Sequence, residues 1–368
     1  MNDEAYMRRA LELAGMGMGW TNPNPMVGAV IVKEGRIIGE GYHERYGELH
    51  AERNALKNCT EDPEGATIYV TLEPCCHHGK TPPCADAIIE SRIGKVVVGM
   101  LDVNPVVAGN GVKILKDHGI EVVTGVLEEE CRRLNRIFIK YITKKLPYVV
   151  MKYAMTADGK IATVSGQSKW ITGDSSRKNV HRTRHALMGV MVGVGTVMAD
   201  DPMLDCRLSE GGKNPVRIIC DSGLRTPMDS KIVKTASEIR TIIATVSGDE
   251  SRIKEYESRS CEVVRTSSNQ GRVDLKELMK IIGAEGIDSI LLEGGAELNL
   301  GALESQIVDE VHTYIAPKIF GGNAKTPVGG AGIENIDDAV MLNPVNITKF
   351  DDDIFVESEV KHLVHGNS

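Results

Sequence analysis

The stretches His50-Ala51-Glu52 and Thr71-Leu-Glu-Pro-Cys75, with Cys84 nine residues further on, decide how the first part of this chain folds. A catalytic zinc ion takes three protein ligands and leaves one position open for water. One imidazole and two thiolates supply such a set. We therefore predict that His50, Cys75 and Cys84 bind a zinc ion, with the histidine at the start of a helix and Pro74-Cys75 in the segment that follows the next strand.

Glu52 has a different predicted role from the three ligands. It lies two residues after His50, which is about 200° around a helix, so the two side chains should not bind the same metal side by side. A carboxyl in this position can instead move protons between water and a substrate. An H-x-E stretch followed by P-C-x-x-C is typical of zinc deaminases. Here the segment from Cys75 to Cys84 is six residues longer than C-x-x-C.

This longer segment leaves other ligand sets open. Cys76, His77 and His78 could bind a metal, and a closed structural site would use Cys75, Cys76, His77 and Cys84. Adjacent Cys-Cys-His-His side chains reach one tetrahedral ion with difficulty, and Cys75 directly follows a proline as the deaminase pattern requires. These observations favour the catalytic set over the closed site. An apolar core without a metal is the third interpretation.

Outward from these motifs, helix and strand patterns alternate. Expected strands cover residues 27–32, 37–41, 67–71, 95–100 and 121–126. Asp3 is expected to cap the first helix, and further helices are expected to begin near Ala51, Ala85, Val112 and Leu127, the last running to about Tyr141. This alternation predicts a three-layer α/β domain over residues 1–145. The charged segment that ends at Pro147 is the predicted boundary, because proline does not continue a helix.

A second α/β domain is predicted over residues 146–368. Its expected strands cover residues 148–154, 190–194, 216–220, 241–246 and 289–292, and its expected helices cover 175–187, 274–284 and 296–304. The first strand is not followed by the G-x-G-x-x-G dinucleotide fingerprint. The turn Glu293-Gly-Gly295 before a helix could bind a phosphate, although the same pattern often marks only a tight turn.

Composition limits the possible partners. The chain of 368 residues is 42% hydrophobic and 26% charged, which indicates a folded protein. Its net charge of −8 and its aromatic content of 4% argue against nucleic acid as a partner. Neither a signal peptide pattern nor an apolar run long enough for a membrane span is present, so we expect a cytoplasmic protein without a membrane partner. Its eight cysteines should then be thiols or metal ligands.

Several longer motifs together resemble one family. In the first half these are Thr21-Asn-Pro-Asn-Pro-Met-Val-Gly-Ala-Val30, Gly41-Tyr-His43, His50-Ala-Glu52 and Thr71-Leu-Glu-Pro-Cys-Cys-His-His-Gly-Lys-Thr-Pro-Pro-Cys84. In the second half they are Lys152-Tyr-Ala-Met-Thr-Ala-Asp-Gly-Lys160, Ser168-Lys-Trp-Ile-Thr172, Asp200-Asp-Pro-Met-Leu-Asp-Cys-Arg207 and Leu292-Glu-Gly-Gly295. The chain resembles the bifunctional deaminase/reductase family of riboflavin biosynthesis over nearly its whole length.

The resemblance implies a cytidine-deaminase-like domain followed by a dihydrofolate-reductase-like domain. It also implies two successive reactions. The first is zinc-dependent hydrolytic deamination of 2,5-diamino-6-ribosylamino-4(3H)-pyrimidinone 5′-phosphate. The second is NADPH-dependent reduction of the ribosyl chain of the product to ribityl. The implied partner is thus a phosphorylated pyrimidine nucleotide-like substrate, and the family resemblance further suggests a homo-oligomer.

The resemblance also assigns binding residues. Those implied to line NADPH are Ala154, Trp170, Thr196, Asp200, Ser222, Gly295, Ala296, Glu297, Leu298, Asn299, Leu300 and Gly301. Those implied to contact substrate are Asn24, His43, His77 and Lys80 in the first half and Ser168, Arg184, Leu204, Arg207 and Glu293 in the second. Guanidinium groups such as those of Arg184 and Arg207 suit a phosphate ester. Lys152 is hypothesised to act near the reacting sugar carbon.

Three further hypotheses compete with this one. The pair His181 and His185 has metal-ligand spacing but no third ligand nearby, so we interpret it as part of a polar helix face that carries Arg184. A zinc deaminase that edits nucleic acid, with an unrelated carrier domain, is disfavoured by the acidic charge. A zinc-stabilised binding module without catalysis is distinguished by Glu52→Gln, which would leave its function intact.

Overall fold

The chain forms two compact units, Met1–Lys145 and Leu146–Ser368, in a computed structural model. The structure describes residues 2–76, 82–104 and 108–361. Each unit has its own central sheet. Within the described residues, no helix combines the length and the apolar character that crossing a bilayer requires.

The first unit has a five-stranded sheet with the order β2-β1-β3-β4-β5. Its strands are β1 (Gly28–Lys33), β2 (Arg36–Tyr42), β3 (Thr67–Leu72), β4 (Lys95–Met100) and β5 (Glu121–Thr124). Strand β1 is antiparallel to β2 and β3, whereas β3, β4 and β5 are parallel to one another. Both faces of β3 and β4 are buried, which explains their nearly continuous apolar sequences.

Helices cover both faces of this sheet. They are α1 (Asp3–Gly15), α2 (Ala51–Lys57), α3 (Cys84–Glu90), α4 (Asn110–Asp117), α5 (Glu128–Leu134) and α6 (Arg136–Lys144). Helices α2, α3 and α4 pack in the apolar cluster on one face, and α1, α5 and α6 pack in the cluster on the other. The predicted three-layer architecture is therefore confirmed.

The second unit has a nine-stranded sheet with the order β10-β9-β8-β7-β13-β6-β14-β16-β15. Its strands are β6 (Tyr148–Thr156), β7 (Gly189–Gly193), β8 (Val216–Cys220), β9 (Thr241–Thr245), β10 (Cys261–Arg265), β13 (Ser289–Leu292), β14 (Glu310–Ala316), β15 (Met341–Phe350) and β16 (Asp353–Lys361), while β11 (Ser268–Asn269) and β12 (Arg272–Val273) form a separate hairpin. All strands from β10 to β14 in this order are parallel, and β16 and β15 complete the sheet in antiparallel pairs.

Helices again connect the parallel strands. They are α7 (Asp174–Ala186), α8 (Val194–Asp200), α9 (Lys231–Lys234), α10 (Glu250–Glu257), α11 (Leu275–Ala284) and α12 (Ala296–Glu304), and a 3₁₀ helix covers Ile336–Asp338. Strands β7, β8 and β13 end at the same edge of the sheet because they are parallel neighbours. In open α/β sheets, ligands bind at this carboxyl edge.

Three local predictions were wrong. Asn2, rather than Asp3, caps α1, because its side chain accepts a hydrogen bond from Ala5 N at 3.1 Å. The helix expected over 127–141 is two helices that meet at Asn135, where the buried side chain bonds both backbone polar groups of Met26. The prediction also omitted β10, β14 and the final hairpin of β15 and β16. Most of β15 is exposed and lacks apolar alternation.

Candidate active sites

Three side chains from different elements converge in the first unit. His50 directly precedes α2, Cys75 follows β3, and Cys84 is the first residue of α3. The backbone of His50 is extended (φ −75°, ψ 163°), so it lies outside the helix and the helical spacing assumed between His50 and Glu52 does not apply. Cys84 N donates a hydrogen bond to Cys75 Sγ at 3.3 Å, which holds the start of α3 against the end of β3.

The donor atoms have the spacing of a tetrahedral metal site. His50 Nδ1 lies 3.5 Å from Cys75 Sγ and 3.4 Å from Cys84 Sγ, and the three atoms all lie within 4.8 Å of one another. Ordinary Zn–N and Zn–S bonds at tetrahedral angles require an N···S separation of about 3.5 Å. The set therefore fits a zinc ion and leaves one coordination position for a non-protein ligand.

Close packing sets the position of α2. A Cβ added to Gly41 would lie 2.3 Å from Ala55 N, so a larger residue would push this helix off strand β2. Arg53, on the same helix, donates hydrogen bonds to the backbone oxygens of Pro82 and Pro83 at 3.2 and 2.9 Å. These contacts bring His50, the residue before α2, close to Cys84, the first residue of α3.

Glu52 lies in the first turn of α2 and is only 3% exposed. Its carboxyl group shares a hydrogen bond with the Cys84 thiol. Burial raises the pKa of Glu52 to about 7, and the negative charge of Cys75 adds to this effect. A carboxyl with a pKa near neutrality is suited to general acid–base chemistry.

The two neighbouring thiols shift each other's pKa in opposite directions. The hydrogen bond from the Cys84 thiol, with a further one from His50, lowers the pKa of Cys75. The same contact and burial raise the pKa of Cys84. Cysteine binds a metal as the thiolate, so a bound cation would displace the thiol protons. Cys76 does not belong to this donor group, and the alternative ligands His77 and His78 lie outside the described residues.

Two predicted substrate residues lie beside the donor group. Asn24 Nδ2 is 3.2 Å from His43 Nε2, and His43 Nδ1 is 3.0 Å from Leu49 O. The Leu49 carbonyl requires a proton on Nδ1, so Nε2 accepts from Asn24. The ring of His43 meets that of His50 edge to face, with centroids 5.4 Å apart. The other two predicted residues of this group, His77 and Lys80, lie outside the described residues.

Sequence reasoning missed Glu73, which organises the segment after β4. Its buried carboxylate accepts hydrogen bonds from Asp102 N, Gly109 N and Val112 N at 3.1, 2.9 and 3.1 Å. Glu73 directly precedes Pro74 and Cys75, so this anchor borders the donor group. The sequence feature that could have identified Glu73 is a carboxylate at the end of a buried strand, because burying a charge without a partner costs free energy.

A cavity of about 1580 Å³ lies at the carboxyl edge of the second sheet. It contains most of the predicted cofactor residues and one predicted substrate residue. These are Ser168, Thr196, Asp200, Ser222, Gly295, Ala296, Glu297, Leu298, Leu300 and Gly301. The prediction omitted the cavity wall contributed by Arg225 and by the β11–β12 hairpin.

Three predicted cofactor residues do not line this cavity. Ala154 is a partly buried residue of β6 that packs against the aromatic cluster of Tyr314 and Phe355. Trp170 is 64% exposed and lies under the guanidinium of Arg177. Asn299 is buried, and its Nδ2 donates to Pro327 O at 2.9 Å.

A buried charge cluster joins three predicted substrate residues. Glu293, directly after β13, lies 2.6 Å from Arg184 Nε and 3.6 Å from Lys152 Nζ. Burial would raise the pKa of Glu293, but the charges of Arg184 and Lys152 lower it to about 2. Burial also lowers the pKa of Lys152. The cluster holds an ionised carboxylate between two cationic groups.

Helix α7 fixes the segment that carries two further predicted substrate residues, Leu204 and Arg207. Arg184 Nη1 donates to Asp205 O at 3.0 Å, and Arg207 N donates to His181 Nδ1 at 3.3 Å. Leu204 is buried with φ +53°, while the Arg207 side chain is exposed.

The metal alternative at α7 fails on the geometry of its two histidines. The Nδ1 atoms of His181 and His185 accept backbone N–H groups from different residues, Arg207 and Lys213. Among the residues that the structure describes, neither histidine joins a group of candidate metal ligands. The interpretation as a polar helix face is consistent with this placement.

A deaminase-type metal site in one α/β unit and a ligand cavity at the sheet edge of another define a two-unit enzyme. The sequence matches "Cytidine and deoxycytidylate deaminase zinc-binding region" over residues 1–100 and "RibD C-terminal domain" over residues 147–356. The chain belongs to the RibD family. The expected fold, a cytidine-deaminase-like unit followed by a dihydrofolate-reductase-like RibD reductase unit, is confirmed.

Similar proteins align with the chain over nearly its full length. The riboflavin biosynthesis protein RibD of Actinobacillus pleuropneumoniae is 57% identical over 358 residues, covering 97% of this chain and 95% of that protein. The structure of Acinetobacter baumannii RibD has a TM-score of 0.88 at 36% identity, covering 98% and 99% of the two chains. A diaminohydroxyphosphoribosylaminopyrimidine deaminase/5-amino-6-(5-phosphoribosylamino)uracil reductase of Thermotoga maritima has a TM-score of 0.86 at 42% identity, again covering 98% and 99%.

Proposed function

We propose that this chain catalyses two successive steps of riboflavin biosynthesis. Residues 1–145 deaminate 2,5-diamino-6-ribosylamino-4(3H)-pyrimidinone 5′-phosphate with zinc, and residues 146–368 reduce 5-amino-6-(5-phosphoribosylamino)uracil to the ribitylamino product with NADPH. The observation that carries the proposal is the convergence of His50, Cys75 and Cys84 beside the buried carboxyl of Glu52, in a chain of the RibD family.

In the first reaction the protein supplies metal ligands and a proton carrier. His50, Cys75 and Cys84 would hold zinc, which when bound supplies Lewis-acid activation of water. Glu52 accepts the proton that the attacking water loses as its oxygen bonds to the ring carbon. It delivers this proton to the ring nitrogen. It then takes the remaining proton of the newly added hydroxyl group and delivers it to the amino group, so that the C–N bond breaks, the ring carbonyl forms and ammonia leaves. Asn24, His43, His77 and Lys80 are proposed to hold the base and its phosphate.

In the second reaction the protein supplies alignment and charge. NADPH, when bound, supplies the hydride. Glu293, Arg184 and Lys152 form a buried charged group that can hydrogen-bond the ribosyl oxygens, and Arg207 offers an exposed guanidinium to the phosphate ester. Ser168 and Leu204 complete the proposed substrate contacts.

The proposed cofactor contacts divide into two groups. Thr196, Asp200, Ser222, Gly295, Ala296, Glu297, Leu298, Leu300 and Gly301 are supported by their place in the cavity wall. For Ala154, Trp170 and Asn299 the support is the family motif alone.

We also propose that the enzyme acts in the cytoplasm as a homo-oligomer, without nucleic acid or membrane partners. All eight cysteines are free thiols, as expected in a reducing compartment. The net charge of −8 disfavours phosphate-backbone binding. Sedimentation of the purified chain measures the oligomeric state, and a monomer at micromolar concentration would contradict this part.

A coupled assay tests the proposed function. Purified protein with one zinc per chain is given the diaminopyrimidine nucleotide and NADPH, and ammonia and NADPH are followed separately. We expect ammonia release first and an equal amount of NADPH oxidation after it. A zinc-loaded protein that releases no ammonia refutes the deaminase assignment, and a protein that does not oxidise NADPH with the deaminated product refutes the reductase assignment.

A further inference from the structure

A second group of candidate metal ligands lies in the second unit. Its members are Glu310 and His312 on β14 and Glu357 on β16, and one ligand atom of each lies within 4.8 Å of those of the other two. None of the three belongs to the described wall of the cavity at the carboxyl edge. We propose that these side chains bind a divalent transition-metal ion, which braces the two neighbouring strands and takes no part in the reduction.

Strand register brings the three side chains to one face of the sheet. His312 and Glu357 are directly paired across the antiparallel strands β14 and β16, and Glu310 lies two residues before His312. Residues two apart on a strand point to the same face of a sheet. The ring of His312 meets that of Phe355 edge to face, with centroids 5.2 Å apart, which fixes the orientation of the imidazole. The group therefore has a rigid frame.

Each carboxylate has one oxygen anchored and the other close to the imidazole. Glu310 Oε2 accepts a hydrogen bond from the Tyr148 hydroxyl at 2.9 Å, and Glu310 Oε1 lies 2.7 Å from His312 Nε2. Glu357 Oε2 accepts a hydrogen bond from Asn346 Nδ2 at 2.6 Å, and Glu357 Oε1 lies 3.7 Å from the same ring nitrogen. Ligating carboxylates in metal sites are oriented by outer hydrogen bonds in the same way.

The distances suit an ion that takes the place of one proton. Metal–nitrogen and metal–oxygen bonds of ordinary length for zinc, at tetrahedral angles, place the two ligand atoms roughly 3.3 Å apart. The separations of the two carboxylate oxygens from His312 Nε2, 2.7 and 3.7 Å, lie on either side of this value. The shorter one is a hydrogen bond, and a metal binds histidine only after the proton has left the ligating nitrogen. A small movement of the Glu310 carboxylate would then complete the ligand set.

Burial makes this group costly without a cation. The side chains of Glu310 and His312 are 2% and 7% exposed, and even a protonated imidazole leaves the three side chains with one excess negative charge. Lys152 is in register with His312 on β6, but its ammonium lies 3.6 Å from Glu293. His312 Nδ1 is buried and has no hydrogen-bond partner in the described part of the chain, and an ion is one explanation for such an atom. The Glu357 side chain, which is 20% exposed, gives an ion a path from solvent.

The donor types select the class of ion and the probe. Mg²⁺ and Ca²⁺ are bound by oxygen ligands alone, whereas one imidazole with two carboxylates suits a first-row transition metal such as Mn²⁺. The thiolates of the first-unit site prefer zinc to Mn²⁺. Mn²⁺ added to the zinc-loaded full chain therefore reports on the second-unit group without displacing the first ion.

Electron paramagnetic resonance of Mn²⁺ tests the inference. We expect the wild type to bind one Mn²⁺ per zinc-loaded chain, with the nitrogen coupling of one imidazole in the spin-echo spectrum. His312→Gln should remove the coupling and weaken binding about 100-fold, whereas Tyr148→Phe, which removes only an outer hydrogen bond to Glu310, should keep the coupling and weaken binding about 10-fold. His118→Gln, which changes an exposed histidine of the first unit, should alter neither binding nor coupling.

Three results overturn the inference. A zinc-loaded wild type that binds no Mn²⁺ has no such site, and bound Mn²⁺ without nitrogen coupling is held by surface carboxylates instead. Binding and coupling that persist unchanged in His312→Gln place the ion at another histidine. If His312→Gln does not fold, the wild-type coupling and the weakened binding of Tyr148→Phe still decide. Because these measurements need no turnover, their outcome is independent of the deaminase and reductase assignments.

Discussion

The two sites differ in how tightly the protein defines them. In the first unit, three donor atoms within 4.8 Å of one another and a buried carboxyl come from the ends of β3, α2 and α3. In the second, a cavity of about 1580 Å³ is lined by glycines, polar side chains and charged side chains from many segments. A metal requires a few atoms at fixed distances, whereas a dinucleotide is held by many weak contacts. Single substitutions in the first site should therefore abolish deamination, whereas single substitutions in the second should only weaken reduction.

Metal removal gives the sharpest test of this contrast. Chelation should abolish ammonia release and leave reduction of the deaminated substrate unchanged, since zinc serves only the first site. Cys84→Ser should have the same effect, with zinc content measured alongside. Cys59→Ser, a change at a partly buried thiol outside the donor group, is the control. If chelation also stops reduction, the two sites are not independent.

The next largest effect is expected at Glu52. Glu52→Gln removes the proton carrier but keeps the side-chain shape, so ammonia release should fall by about 10²- to 10⁴-fold. Zinc content and reduction of the deaminated substrate should stay at wild-type values. Glu44→Gln, at an exposed position of the same unit, serves as the control. Unchanged ammonia release would contradict the catalytic role.

In the second unit the charge cluster should make stability depend on pH. The pKa of Glu293 in the folded protein is about 2, below its ordinary value of 4.5. Its carboxylate therefore stabilises the fold above about pH 4.5, and this contribution is lost as the pH falls towards 2, by about 1.4 kcal/mol per pH unit. Between pH 7 and pH 3.5 the wild type should lose about 1.4 kcal/mol more than Glu293→Gln.

Tryptophan fluorescence can report this loss for the second unit alone. The chain has two tryptophans, Trp20 in the first unit and Trp170 in the second. In a Trp20→Phe background, urea unfolding followed by Trp170 gives the free energy of unfolding at each pH. At pH 7, Glu293→Gln should cost about 3 kcal/mol, because it leaves Arg184 and Lys152 without their buried partner. Equal pH dependence in both proteins would contradict the role of Glu293.

The smallest effect is expected at the edge of the first site. Asn24→Ala removes the hydrogen bond to His43 Nε2, so KM for the diaminopyrimidine nucleotide should rise about fivefold, equivalent to about 1 kcal/mol. Zinc content should not change. Asn58→Ala, which removes an amide hydrogen bond to Glu40 O on the exposed side of the unit, should leave KM unaltered. A loss of zinc in Asn24→Ala would assign this residue to the metal site instead.

Local patterns predicted many of the buried elements, although not the buried strand β14, and they failed where long-range contacts decide. The strands around residues 67–71 and 95–100 and the helix 296–304 agree closely with β3, β4 and α12. The break at Asn135 depends on Met26, 109 residues away, and no local signal carries that contact. Strand β15 is held by pairing with β16 rather than by an apolar face of its own.

Residue chemistry and short spacing were sufficient to identify a deaminase-type ligand set, because the histidine of H-x-E, the cysteine after the proline and a second cysteine bind metal through their own side-chain atoms. Which thiols meet His50, and that Cys76 does not join them, follows from the packing of α2 and α3 on the sheet. The contact between Ser222 and Val273 in the cavity wall likewise exists only after the end of β8 and the β11–β12 hairpin come together. Such distances depend on how whole strands and helices pack, and local sequence does not encode them.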